Sequence, residues 1–371
     1  MTAQKSNRCA IIMALIGAVV LLFLSSASDA FSPALPAYQD SRISKSVNRK
    51  LFLAATETGS AGSVDTQSLL SYPPPRIQRE YNSFHWNNYK INYRVEGPED
   101  GAPILLVHGF GANVNHFRYN FPALVAEGYR VYAVDLLGFG ASDKPPDALY
   151  SIELFVDLLC DFIRQIQATQ PWIIAGNSIG GLCSLAVTRE LPDLVRGCVL
   201  FNASGGMSGF RYEDVSFYLR PILWFVQKVV LGPQLGGRFF ENFKSRANVE
   251  SILKTQGVYG DTTNVDQELL EILLGPSDDK GAKEVFLKVF GGPPGPTPES
   301  LLPQIETPIL ALWGDADPWT PVDAGMHPGS KFQDYAKGNF QLKRLPGAGH
   351  CPHDECPELC HSHMIPWMAA L

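Results

Sequence analysis

A chain of 371 residues with 45% hydrophobic and 18% charged side chains, and a mean hydropathy of −0.02, has the balance of a globular protein and excludes a disordered or collagen-like one. A net charge of −7 and a pI near 5.6 argue against nucleic acid as a partner, because tracking phosphates needs a basic face. Seven cysteines, an odd number scattered from Cys9 to Cys360, argue against a full disulfide framework.

The long uncharged stretch of the chain runs from Cys9 to Ser28, which excludes a polytopic membrane protein. Lys5 and Arg8 precede an apolar run from Ala10 to Leu24, and Ser28 and Ala30 flank Asp29. This is the layout of a signal peptide over 1–30, cleaved after Ala30. At about 1.5 Å per residue the apolar run spans ~22 Å, short of the ~30 Å hydrocarbon core, so a retained anchor is the alternative. From Phe31 to Val64 the basic residues Arg42, Lys45, Arg49 and Lys50 face only Asp40 and Glu57 amid many Ser, Ala and Thr. Residues 31–75 therefore read as a second, transit-peptide-like segment, with a disordered linker in a secreted protein as its rival.

Beyond Pro73, Pro74 and Pro75, the alternating runs Tyr81–Trp86 and Tyr89–Val95 around Asn87 and Asn88 predict a hairpin. Short apolar runs follow at 104–107, 130–134, 172–175, 198–201, 309–313 and 340–345. Buried parallel strands have this character, and the helix expected over 152–168 supplies one of the layers that cover them. The expected class is α/β, a mostly parallel sheet flanked by helices, with its core over 76–202 and 301–371. More than 100 residues separate Phe201 from Ile309, too many for a plain loop, so 203–300 reads as an inserted helical cap. Nine aromatics between Phe210 and Phe243 fit a lid over a lipophilic pocket.

Gly176-Asn177-Ser178-Ile179-Gly180 follows an apolar strand and precedes a helix, the context in which G-x-S-x-G forms a nucleophile elbow. Gly176 and Gly180 support the sharp turn on which Ser178 would project. Ser178 needs a base, and His350, in the loop after the last predicted strand, is the candidate. A carboxylate must orient that imidazole; Asp317 is the choice at the end of the penultimate strand and Asp315 the alternative. The backbone N–H groups of Phe110 and Ile179 would form the oxyanion hole, with His108 and Gly109 supporting the loop after residues 104–107. Cys351, Cys356 and Cys360 lie close to His350, His353, His361 and His363. No second Cys/His pair at finger-like spacing completes a zinc module, so no metal and no cofactor is expected. His353, His361 and His363 read as surface residues of the last helix, and His116 lies outside any matching loop. Residues 135–140 are glycine-rich but lack the Lys-Ser/Thr of a phosphate loop.

The order Ser178, Asp317, His350, with His108-Gly109 upstream and a cap between, resembles the α/β-hydrolase superfamily over nearly all of residues 79–371. Haloalkane dehalogenases and epoxide hydrolases of this fold carry Asp at the elbow, and Ser178 disfavours them. The segments Gly291-Gly292-Pro293-Pro294-Gly295-Pro296 and Gly349-His350-Cys351-Pro352-His353-Asp354-Glu355 look like those of plastid chlorophyll dephytylases and pheophytinases. Residues 202–207 and the cap stretch 258–266 look closer to the dephytylases. The resemblance implies a carboxylic-ester hydrolase acting through an acyl-enzyme on Ser178. Its implied partner is a lipophilic small-molecule ester, a phytylated tetrapyrrole, met at a thylakoid surface. Ala30 followed by Phe31 and a basic, Ser-rich stretch resembles the bipartite plastid presequence of algae with secondary plastids, which implies a plastid protein; secretion or membrane anchoring is the alternative. C–C bond hydrolases of vinylogous diketones share the triad and a similar elbow and stand as the rival enzyme class, and a non-catalytic receptor on the same fold as the rival outside enzymes.

Overall fold

The computed structural model describes residues 78–371 except 168, 208–223, 225–231 and 233–234. The signal and transit segments lie outside the described residues, as does much of the aromatic-rich stretch 210–243.

Strands β1 (Asn82–Trp86) and β2 (Tyr89–Glu96) form the expected hairpin. Asn87 and Asn88 both adopt positive φ, 48° and 67°, the backbone that a two-residue turn matching strand twist demands and that Asn tolerates. The sheet continues with β3 (Pro103–Val107), β4 (Arg130–Val134), β5 (Trp172–Asn177), β6 (Val195–Phe201), β7 (Ile309–Gly314) and β8 (Phe340–Leu345). Its order is β1-β2-β4-β3-β5-β6-β7-β8, and from β4 to β8 every neighbouring pair is parallel. The winding reverses between β3 and β5, and open α/β sheets bind ligands beyond the carboxyl ends of the strands at such a switch point.

Because side chains alternate across a strand, the sheet feeds two separate apolar layers. Leu105, Val107, Ile174, Leu200 and Trp313 pack to one side with helices α2 (Ile152–Ile166) and α3 (Ile179–Glu190). Ile104, Leu106, Ile173, Val199 and Leu310 pack to the other with α1 (Asn120–Ala126) and α8 (Pro357–Ala369). Helix α2 starts where Ser151 Oγ accepts the Leu154 N–H, and its Phe162 meets Phe84 and Tyr93 edge-on, which fastens the hairpin to the layer. It stops at Ile166, shorter than the apolar spacing suggests, because Gln167 is already extended and its carbonyl accepts the Trp172 indole N–H.

Between β6 and β7 the chain leaves the sheet and builds α4 (Gly236–Phe243), α5 (Arg246–Lys254), α6 (Gln267–Leu274) and α7 (Ala282–Phe290). This insertion has a small core of its own around Tyr259, Val265 and Leu269, which Cys351 joins from the last loop. Phe239, Phe240, Phe243, Phe286 and Phe290 cluster, with Phe286 stacked on Phe290 at 5.7 Å between ring centroids.

One expectation about the C-terminal region is overturned. His353 is 0% exposed, enclosed by His116, Phe117 and Phe201. A separate helical turn, Pro352–Glu355, precedes α8 and carries His353 inward; burial holds its imidazole well below the ordinary range. His361 is only half-exposed and pairs with Asn120, and His363 is half-buried.

Candidate active site

β5 ends at Asn177, α3 begins at Ile179, and Ser178 bridges them at φ 56° and ψ −121°. Such a backbone costs a non-glycine residue on the order of 1–3 kcal/mol and persists only where the surroundings enforce it. Enforcement comes from close backbone approach. A Cβ on Gly176 would lie 2.2 Å from the Gly180 carbonyl oxygen, and one on Gly180 would lie 2.2 Å from that of Val107. The two glycines let the turn press against β3 and hold Ser178 up at the sheet's carboxyl edge.

The carboxylate of Asp317, in the loop after β7, is 3% exposed and fully engaged. Its Oδ2 accepts His350 Nδ1–H at 2.7 Å, Asn202 Nδ2–H at 2.6 Å and the Thr320 hydroxyl at 2.5 Å. Its Oδ1 accepts the backbone N–H groups of Trp319 and Thr320 at 2.7 and 3.1 Å. Burial on its own would raise this carboxyl, but His350 and the Thr320 donors hold it down at about 2. The bond through Nδ1 leaves His350 Nε2 as the acceptor, the tautomer a general base requires. Asp315 is exposed and lies 3.6 Å from Arg344.

Gly109 comes within contact of the elbow: a Cβ there would lie 3.2 Å from Ser178 Cβ. Phe110 and Ile179 donate to no protein acceptor among the described residues, so both N–H groups are available to a ligand oxygen. His108 is buried and braces this loop, with Nδ1–H donating to the Gly109 carbonyl at 2.8 Å and Nε2 accepting the Leu136 N–H at 3.1 Å. Burial lowers its pKa, which suits a neutral ring bonded in this way.

Ser178 and His350 line one cavity of about 180 Å³ with Phe110, Gly109 and Trp319. No hydrogen bond joins Ser178 to His350; contacts between a nucleophile and its base are often long and tighten as the substrate complex forms. Away from Ser178 the walls become apolar and come from the cap: Phe240, Phe243, Ile252, Leu273 and Phe286. Trp319 stands 52% exposed with its ring 5.2 Å from that of His350. His116, which sequence spacing set aside, also lines this cavity, and burial lowers its pKa to about 3. Cys351 lines it too, and burial pushes its thiol well above the ordinary range, away from the thiolate a metal or nucleophilic role needs.

Asn177, Asn202, Thr320 and Trp319 are functional neighbours that sequence reasoning passed over. Asn177 Nδ2 donates to the carbonyls of Phe201 and His350, at 3.1 and 2.9 Å, joining elbow and histidine loop. Asn202, at φ 44°, holds Asp317 with its Nδ2 and accepts the Gly314 N–H with its Oδ1. An Asn directly after an apolar strand, at a point where the chain must turn, was the available signal.

Comparison with known proteins places this geometry. The profile of the alpha/beta hydrolase family matches residues 104–361. Epoxide hydrolase 3 of Xenopus tropicalis is 25% identical over 290 residues, covering 76% of this chain and 75% of that protein. The chloroplastic pheophytinase of Arabidopsis thaliana is 24% identical over 323 residues, covering 76% of this chain and 64% of that protein. Among solved structures, a serine hydrolase involved in carbazole degradation, the CarC enzyme, superposes with a TM-score of 0.61 at 22% identity, over 78% of this chain and 98% of that one.

Proposed function

The chain belongs to the alpha/beta hydrolase family, and on that premise we propose that it is a serine carboxylic-ester hydrolase that removes phytol from chlorophyll or pheophytin. One observation carries the reading: the cavity that holds Ser178 and His350 runs under an aromatic cap, so the reacting carbonyl and a long apolar group can be bound together. His350 takes the Ser178 proton as the hydroxyl attacks the ester carbonyl. The N–H groups of Phe110 and Ile179 receive the charge that develops on its oxygen, each donor contributing about 2.7–4 kcal/mol. The alcohol leaves with the proton from His350, and water activated at the same imidazole releases the acid from Ser178. Ser178 stands where an epoxide hydrolase of this fold would carry Asp, which favours the ester reading over that relative's named activity.

The pigment assignment draws on the pheophytinase relative and on the size of the apolar wall. Burying part of a phytyl chain at ~0.8 kcal/mol per CH₂ releases on the order of 10 kcal/mol gross before ordering costs. The cap therefore takes the chain, while the tetrapyrrole, too large for the cavity, stays at the mouth beside Trp319. To test this, the chain from about residue 70 onward is incubated with chlorophyll a and pheophytin a in detergent and the pigments are separated. Release of chlorophyllide or pheophorbide by the native chain, absent from Ser178→Ala, is expected; no release from either while a short-chain ester is still cleaved would discard the pigment. Phe286→Ala should raise KM for the phytyl ester about 10-fold, from the loss of some 1.5 kcal/mol of burial, and leave the short-chain ester unchanged. Cleavage of a vinylogous diketone instead would select the C–C hydrolase class.

We also propose a plastid address, with the substrate met at a thylakoid surface. A fusion of residues 1–75 to a fluorescent protein is expected to accumulate in the plastid of an alga with secondary plastids. Fluorescence in the medium would reject the reading of Phe31 as the start of a transit segment.

A further inference from the structure

Glu355 is a buried carboxylate to which the chemistry above assigns no task. It is 6% exposed at the end of the helical turn after His350, and no cation pairs with it among the described residues. A buried carboxylate without a counter-charge is costly unless hydrogen bonds replace its water. The bonds it makes join two distant parts of the chain. Oε2 accepts the Gly349 N–H at 2.7 Å, directly before the catalytic imidazole. Oε1 accepts the Asp261 N–H at 2.7 Å, in the cap.

Other contacts follow the same seam. The His350 N–H donates to the Val258 carbonyl at 2.7 Å. A Cβ on Gly260 would lie 2.0 Å from the Gly347 carbonyl oxygen, and one on Gly349 would lie 2.3 Å from that of Val258. The histidine loop and cap residues 258–261 thus lie backbone on backbone. Next door, Arg118 binds Asp354 at 2.9 Å and the cap carboxylates Asp266 and Glu268, also at 2.9 Å each.

We propose that Glu355 is a positioning residue that locks the His350 loop to cap segment 258–261, so that His350 is aimed at Ser178 only while that segment is seated. The proposal rests on His350 being the base, as argued above. It makes proton transfer conditional on closure, which is how a capped site keeps the acyl-enzyme step away from bulk water. Only an ionised Glu355 can accept on both oxygens without turning an O–H toward an N–H. Burial pushes its carboxyl up to about 7, against the N–H groups of Asp261, Gly349 and Gly260 that favour the charge, while the Asp261 carboxylate adds to the rise. The other ionisable groups around it are the raised thiols of Cys351 and Cys360 and the carboxyl of Asp354, which Arg118 and Tyr259 hold.

The test uses Glu355→Gln in the full chain, with a fluorophosphonate probe and a short p-nitrophenyl ester. The labelling rate of Ser178 and kcat are both expected to fall about 10- to 100-fold with KM little changed, the signature of misaligned groups and not of weakened binding. Acid inactivation should also change. As pH falls through about 7 the native chain loses the ionised Glu355, so its kcat should drop by about the same 10- to 100-fold in a step that the variant, already without the charge, lacks. Should Glu355→Gln not fold, Glu355→Asp retains the charge but cannot reach both loops, and is expected to lose activity to a similar extent. Equal labelling rates in native and variant chains, with the same acid step in both, would overturn the inference alone. No labelling of the native chain would overturn the serine-hydrolase reading and this inference with it.

Discussion

Ser178→Ala is expected to lose ester hydrolysis by about 10⁵- to 10⁶-fold, leaving the residual catalysis that an oxyanion hole and binding provide. The substitution removes one oxygen from a half-buried position and keeps the Cβ, so the backbone at φ 56° is neither relieved nor further strained. Its thermal midpoint should therefore match that of the native chain. Ser178→Gly separates structure from chemistry more sharply. Glycine adopts positive φ freely, so this variant should be equally inactive yet more stable by about 1 kcal/mol, the lower end of what such strain costs. Turnover retained in either variant, after contaminating esterases are excluded by fluorophosphonate treatment, would remove Ser178 from the nucleophile's role. Normal turnover with altered stability would instead make the elbow a purely structural turn.

What could be read from the sequence divides along the range of the interaction. β3, β5 and β7 are buried along their whole length, and a strand buried on both faces advertises itself as an unbroken apolar run. The elbow is equally local, since its glycines answer to atoms a few residues away or on the adjacent strand. Asn202 and Thr320 were not legible in this way. The task of Asn202 exists only because β6 and β7 are neighbours, which brings its Nδ2 within 2.6 Å of a carboxylate 115 positions further on, and that of Thr320 only because the loop after β7 curls back to set its hydroxyl on Asp317. Glu355 and Arg118 illustrate the same limit: a charged residue near a histidine reads as solvated surface until the cap folds over it. His353 reversed its expected exposure for a related reason, because a proline-started turn rotated it away from the face that the spacing of α8 implies.

The choice between the two acids allows the second large effect to be argued from geometry. Asp317→Asn should lower kcat about 10⁴-fold, because an amide cannot hold the imidazole in the tautomer that leaves Nε2 free and cannot stabilise the imidazolium that forms. Five donors converge on that carboxylate from His350, Asn202, Thr320 and Trp319. An amide nitrogen in their midst would face at least one N–H or O–H, so stability should fall as well, by about 1–3 kcal/mol for the group left unpaired. The pH dependence has a definite sign. Since the folded carboxyl is held at about 2, below its unfolded value near 4, its contribution to stability is complete above that unfolded value and is lost as pH falls through about 2. Asp315→Asn removes only an exposed partner 3.6 Å from Arg344, an ion pair worth about 0–1 kcal/mol in such a setting, and should leave kcat within about twofold. A large loss from Asp315→Asn beside a mild one from Asp317→Asn would mean that the loop after β7 rearranges in the substrate complex. The bond between Asp317 and His350 would then belong to a resting arrangement, and Asp315 would be the acid that orients His350, beside the cap contacts at Glu355.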